Sequence, residues 1–231
     1  MTGVSIHDNY IHDVGGEGMY VGHGFYQGRV EKGCDSITYP HSVIDLSVYN
    51  NRIENTGFDG IQIKNADNGA KIFNNYIRNY GTRDHGAHNE GLFVGDGSEA
   101  QIFRNWIELG TGHGMQINAF GNTSIYQNIV LQSNDDGLYL NNSSAKFANK
   151  DGIFRIYENT FIHTGDDGIV AFSSQEVVLT DNKFGSVADK LIDGKTVLSN
   201  GNVIVDEPTI YLNTLLDIKK SLEPWFFDHN N

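Results

Sequence analysis

Ser124-Ile-Tyr-Gln-Asn128-Ile-Val-Leu-Gln-Ser-Asn-Asp-Asp-Gly137-Leu-Tyr-Leu140 is one variation on a phrase that the chain repeats. Its fixed points are an asparagine, an apolar residue three places before it, another two places after it, and a glycine nine places on. The asparagines are Asn9, Asn51, Asn75, Asn105, Asn128, Asn159 and Asn182, spaced by 42, 24, 30, 23, 31 and 23 residues. Ile6, Val48, Ile72, Ile102, Ile125, Ile156 and Leu179 precede them; Ile11, Ile53, Ile77, Ile107, Val130, Phe161 and Phe184 follow. All fourteen flanking positions are apolar, a regularity that unrelated segments would not share.

The glycines are Gly18, Gly60, Gly114, Gly137 and Gly168, with Gly91 delayed by an insertion; each opens a short alternating strand such as Gly60-Ile-Gln-Ile or Gly91-Leu-Phe-Val. A unit of 22 to 24 residues, made of short strands and Asn or Gly turns, cannot bury its apolar face alone. Stacked as coils about 4.8 Å apart, such units share one hydrophobic column. The pattern therefore predicts an all-β solenoid.

The chain has 231 residues, 27 of them Gly and 25 Asn but only 3 Pro, which suits tight turns rather than disorder. Its net charge of -13 and pI near 4.9 exclude a nucleic-acid partner, which needs a basic face. No apolar run approaches the 18 or so residues of a membrane span. A single cysteine, Cys34, excludes an internal disulfide and a cysteine-built zinc site. No signal peptide is visible, and the start inside a coil suggests that Met1 is the boundary of a longer chain, with an N-terminal cap before it.

Over residues 3 to 185 the repeat resembles the right-handed parallel β-helix proteins, which include pectate lyases, polygalacturonases, alginate epimerases and phage tailspikes. The resemblance implies a single-stranded right-handed parallel β-helix of about seven coils over 1–185, with three walls per coil and an asparagine ladder at one corner. Residues 186–231 are expected to be irregular strands (Thr196-Val-Leu, Val203-Ile-Val) and a short amphipathic helix, from Leu215, Leu216, Ile218 and Leu222 to Pro224-Trp225. That helix would close the end of the column within the same domain. The family acts on extracellular polymers, so the resemblance also implies an extracellular or periplasmic place.

Function is sought in the residues that leave the column side by side. Before each strand-opening glycine stand Glu17, Asp59, Glu90, His113, Asp136 and Asp167, joined one place earlier by Asp135 and Asp166. Carboxylates on neighbouring coils would lie about 5 Å apart, or about 10 Å with one coil skipped. Stacked acids raise one another's pKa, and glycosidases use such pairs. The alternative is that Asp-Gly and Glu-Gly are ordinary turns whose carboxylates cap local amides. Gly112-His-Gly-Met, Gly165-Asp-Asp-Gly and Thr56-Gly-Phe-Asp-Gly are similar to polygalacturonase-type motifs. That resemblance implies acid and base roles for Asp59, Glu90, His113 and Asp136, with Asp167 as a further member.

Insertions at about 23–41, 82–89 and 142–152 are expected to rim the glycine-initiated wall. By alternation, Tyr20, Gln62, Phe93, Gln116, Tyr139 and Val170 would floor a groove for a polysaccharide or oligosaccharide, followed by Lys64, Asn118, Asn141 and Phe172. The second insertion carries Tyr80, Arg83, Asp84, His85 and His88, types also suited to proton abstraction in a lyase or epimerase, for which Lys64 would be the base. Arg83 and His85 count equally as substrate contacts. His85 and His88 have a spacing that could ligate a metal. Asp135, Asp136, Asp166 and Asp167 suit Ca²⁺, the one cofactor these residues suggest. A non-catalytic glycan-binding or adhesin module would keep the aromatic row and tolerate the loss of His113 and Glu90.

Overall fold

The computed structural model describes residues 1–33, 35–95, 97–141, 152–194 and 197–205, and positions 211, 213–215, 217 and 219 near the C-terminus. Cys34, Thr196, most of the third insertion, and Leu216, Ile218, Leu222, Pro224 and Trp225 lie outside the described residues. Among the described residues the strands form three parallel sheets that run along a solenoid, and a separate antiparallel pair, Arg29–Val30 with Ile37–Thr38, in the first insertion. The first wall stacks eight strands from Ser5–His7 to Val197–Asn200, and the second stacks eight from Tyr10–Val14 to Val203–Ile204. The third holds seven, Met19–Val21, Ile61–Ile63, Leu92–Val94, Met115–Ile117, Leu138–Asn141, Ile169–Phe172 and Ile192–Gly194.

Register follows the sequence repeat. Ile77 pairs with Ile53 and Ile107, and Ile102 with Ile72 and Ile125. These rows point inward and are fully buried with Ile61, Leu92, Met115, Leu138 and Ile169 of the third wall. Each coil turns corners through single left-handed residues. The residue before each anchor (Asn50, Asn74, Arg104, Gln127, Glu158, Asp181) has φ of 54–57°, and so do Asn55, Asn79, Gln132, His163 and their equivalents four places after it, within a few degrees. Polar residues dominate these sites because Asn and Asp tolerate that conformation best.

The anchors themselves form a continuous ladder. Asn105 Nδ2 donates to Asn128 Oδ1 (2.9 Å) and to the Ile72 carbonyl (3.0 Å), while its backbone amide donates to the same Asn128 oxygen (3.0 Å). The motif recurs from Asn9 to Asn182 and then includes Asn202. The coil pattern thus continues past residue 185: Ile192–Gly194, Val197–Asn200 and Val203–Ile204 pair in parallel with the coil before them as a further turn of the solenoid. The repeat was hidden here because Leu191 occupies the place of the strand-opening glycine.

Outside the first wall, His7, Tyr49, Phe73, Phe103, Tyr126 and Tyr157 stack ring on ring, with centroids 4.7–4.9 Å apart and planes within 11° of parallel. Each inner ring has both faces covered by its neighbours, so this ladder offers no open face to a ligand.

The described C-terminal helical positions meet the side of the column. Leu215 packs sideways on the second wall, in a cluster with Tyr76, Trp106, Leu131 and Ile162. Lys219 Nζ donates to Glu108 (2.6 Å) and to Tyr76 Oη (2.8 Å), and Glu108 also accepts from Tyr76 (2.7 Å) and Trp106 Nε1 (2.7 Å). At the last described strand of the second wall Ile204, in the inward row, is 61% exposed. Burial alone would raise the pKa of Glu108, but its bonds to Lys219, Tyr76 and Trp106 outweigh it, and the group stays below the ordinary range.

Two stability measurements follow. Asn105→Ala strips the ladder of bonds to Asn75, Asn128 and Ile72 and is expected to cost about 3 kcal/mol in chemical denaturation. Lys219→Met removes one of two cations from the buried Glu108 carboxylate, leaving Arg78 Nε at 3.3 Å and the bonds from Tyr76 and Trp106, and is expected to cost about 2 kcal/mol at pH 7. Because the pKa of Glu108 is depressed by folding, that contribution exists above its unfolded pKa and fades as pH falls through the folded one. The gap between variant and parent should therefore shrink at pH 3.

Candidate functional site

Six backbone bonds fix a row along one edge of the third wall. Gly18 N donates to the Asp59 carbonyl, Gly60 to Glu90, Gly91 to His113, Gly114 to Asp136, Gly137 to Asp167 and Gly168 to Lys190. Glu17, Asp59, Glu90, His113, Asp136, Asp167 and Lys190 therefore occupy equivalent places on successive coils. Glycine follows them because the corner is tight: a Cβ at Gly60 would collide with the Ile77 side chain and the Gly91 carbonyl.

Part of the row fastens coils together. Asp59 Oδ1 accepts from Glu90 N (3.1 Å), Asp136 Oδ1 from Asp167 N (3.0 Å) and Asp167 Oδ1 from Lys190 N (2.7 Å). The turn-capping role holds for one oxygen of each, and the other remains available for chemistry. Glu90 departs from this pattern, since its Oε2 accepts from the Asn89 amide (2.9 Å) and its carboxyl stands beside that of Asp59. Asp59 is wholly enclosed and Glu90 nearly so. Burial, then the Glu90 carboxyl and its charge, drive the pKa of Asp59 far above the carboxylate range, against the single opposing effect of the Glu90 amide. Asp59 Oδ2 meets no N–H or O–H donor, so a proton on the carboxyl pair completes the contact.

The second insertion folds onto this pair. Thr82 N donates to the Thr56 carbonyl and Arg83 N to that of Gly57, both at 3.0 Å, and a turn from His85 to His88 follows. His85 and His88 rest against the Phe58 ring at 5.6 and 5.7 Å, and the Arg83 guanidinium lies 5.7 Å over it. His88 Nδ1 stands 3.9 Å from both Glu17 Oε1 and Asp59 Oδ2, between a partly exposed acid and a buried one. Tyr20, close to these acids, is open to solvent.

Farther along, His113 Nδ1 lies 3.1 Å from Asp136 Oδ2, and its ring stacks on Tyr139 at 4.7 Å. His113 Nδ1 also lies 3.3 Å from the Asp136 backbone amide, from which it accepts when unprotonated; with a proton on Nδ1 it donates to Asp136 Oδ2 instead and leaves Nε2 for a substrate. Asp135 is raised by burial, opposed by His113 and reinforced by Asp136, Asp166 and Asp84. Asp166, Asp167 and Asp189 each bring a carboxylate oxygen within 4.8 Å of the others; Asp135 and Asp136 do not join that group.

The groove floor differs from its expected form. Tyr20, Gln116 and Tyr139 remain accessible, whereas Gln62 is fully enclosed and Phe93 and Val170 nearly so. Lys64 Nζ lies 4.8 Å over Phe93, and the first insertion crosses the wall, with Gly24 against Tyr20 and Lys64 and Tyr26 edge-on to Phe120. That loop covers part of the wall it was expected only to rim. Tyr80 is not on the surface: its ring fills the column where Gly110 leaves room. Glu17, His88 and Phe58 belong to the site although alternation does not select them. Glu17 was legible in the row, but the approach of His88 depends on the fold of its loop.

A family model described as a right handed beta helix region matches residues 2–153, a span that holds the row from Glu17 to Asp136. No curated protein matches the chain.

A folded-state pKa raised at Asp59 means that the folded chain keeps a proton the unfolded chain loses above about pH 4, which costs stability as pH rises. Asp59→Asn keeps the oxygen that accepts from Glu90 and removes this penalty. Thermal melts should show the variant more stable than the parent at pH 7 and no different below pH 4; a loss at pH 7 would mean that Asp59 is ionised.

Proposed function

The chain belongs to the right-handed β-helix family, and from the row along its third wall we propose that it binds a polysaccharide across that edge and hydrolyses a glycosidic bond. The observation that carries this reading is the enclosed pair Asp59–Glu90, tied by the Glu90 amide to Asp59 Oδ1, with the His113–Asp136 pair on the next two coils. A carboxyl pair that shares a proton at neutral pH is a general acid. Asp59 holds the pair's proton at rest; Glu90, the member less enclosed, relays it to the leaving glycosidic oxygen as Asp59 gives it up, so the pair ends the step with one more negative charge. Glu90 and Asp136 are two coils apart, about 10 Å between equivalent positions, slightly beyond the roughly 6.5–9.5 Å of inverting carboxylate pairs, and His113 stands on the coil between them. His113, oriented by Asp136, takes a proton from a water as it attacks the anomeric carbon.

Tyr20, Gln116, Tyr139, Arg83 and His85 supply accessible aromatic and polar contacts beside the row. Gln62 and Phe93, enclosed on that face, offer no open contact. A net charge of -13 favours a neutral glycan over a uronate polymer, unless Ca²⁺ intervenes. Such a substrate suits an extracellular or periplasmic setting. The lyase and epimerase reading loses Tyr80 to the core and has Lys64 lying over Phe93.

Mass spectrometry of products from neutral and uronate polysaccharides, in ¹⁸O-water and with or without Ca²⁺, tests the reaction. Hydrolysis adds one labelled oxygen at the new reducing end. Glu90→Gln and His113→Ala should each lower turnover by roughly 10²–10⁴-fold while glycan binding persists. Unsaturated ends would replace hydrolysis with elimination, and binding without products from any polymer would leave a recognition module.

A further inference from the structure

The insertion over residues 22–42 carries features that the catalytic row does not use. Phe25, Val30, Ile37 and Tyr39 are each more than half exposed within fifteen residues, a density of open apolar side chains that marks a contact surface. Phe25 holds φ at +64°, an uncommon conformation for a bulky residue, beneath the Arg29 guanidinium at 4.2 Å.

Two depressions lie on either side of the Tyr39–Pro40 segment. One, of about 370 Å³, is bordered by Phe25, His23 and His41. The other, of about 520 Å³, is bordered by Tyr26, Gln27, Ser42, Asn65 and Asp67. Tyr39 borders both and is 66% exposed, so its ring stands between two cavities instead of packing into a core. In the larger cavity the polar groups are prearranged. Ser42 Oγ donates to Asp67 Oδ2 at 2.8 Å, which fixes the carboxylate and leaves its other oxygen as an acceptor. Asn65 is 1% exposed, and its Nδ2 donor has no partner. A buried donor left unmade is costly, and a ligand oxygen is what would satisfy it.

An accessible aromatic ring, an oriented carboxylate and an unpaired amide donor at one cavity match a pyranose, which offers an apolar C–H face, hydroxyl donors and hydroxyl acceptors. We infer that this insertion is a saccharide-binding subsite, with Tyr39 stacking a neutral sugar ring and Asp67 and Asn65 bonding its hydroxyls. The inference rests on the polysaccharide reading of the catalytic row and extends it: Gly22, which directly follows the Tyr20 strand, borders the smaller cavity, so the subsite continues the groove toward the first coil. The sugar is neutral because Asp67 would repel a uronate and the chain carries no net cation excess.

The test is calorimetric titration of the Glu90→Gln chain with cello-, xylo-, manno- and galacturonate oligosaccharides, repeated after adding Tyr39→Ala or Asp67→Asn. Each added change should weaken binding of a neutral oligosaccharide by roughly tenfold, with the melting temperature of the Tyr39→Ala chain unchanged because that ring is largely solvated. Parental affinity in both variants would overturn the subsite, and would leave the hydrolase reading standing if the parent chain still cleaves polymer. Tyr39-dependent binding in a chain that releases no products would uphold the subsite and remove hydrolysis. A galacturonate preference would overturn the neutral assignment, and failure to bind any of the four would overturn the subsite.

Discussion

One side-chain amide per coil, placed so that its oxygen accepts twice and its nitrogen donates twice, holds this solenoid in register. In the Asn51–Asn182 run the ladder is buried, so each amide works in a medium where an unmade bond is costly. Everything lateral depends on it. If successive coils slipped by one residue, the inward isoleucines would face solvent, and the residues before the strand-opening glycines would cease to form a row. The left-handed residues flanking each anchor serve the same end, because they bring the chain into and out of the corner at a fixed angle.

The row shows how a structural position can also carry chemistry. A carboxylate has two oxygens, and in Asp59, Asp136 and Asp167 one of them is committed to the backbone amide of the next coil. That commitment fixes the orientation of the other. Where the repeat varies, chemistry becomes accessible: Glu90 is one methylene longer than aspartate, bonds its own neighbour's amide, and meets Asp59 instead of the following coil. His113 turns toward Asp136 in the same way. The result is two pairs in place of one uniform acidic stripe.

What could be read from the sequence was what is local and repeated. The anchor asparagines, their apolar flanks and the strand-opening glycines each answer to a constraint within one coil, and each stands where the structure uses it. The parts that escaped depend on contacts between distant segments. Alternation puts Gln62 and Phe93 on the outer face, but only the path of the first insertion determines which outer residues stay open. Tyr80 has the composition of a surface residue in a polar loop, and its burial depends on Gly110, thirty residues later. The place of Leu215 and Lys219 on the side of the second wall depends on Glu108, more than a hundred residues earlier, which gives Lys219 its partner.

That lateral docking changes how the molecule comes apart. In a stack whose coils touch only their neighbours, unfolding can begin at either end and run inward in small steps. Here residue 219 is tied to residues 76 and 108, bonds that span 143 and 111 positions of chain. The final coils therefore lie inside a closed loop whose clasp sits on the middle of the stack. Fraying from the C-terminal side must first open that clasp, so these coils gain a cooperativity that a purely nearest-neighbour array lacks. In refolding the same closure comes late, since its entropic cost is met only after the middle coils exist to receive it.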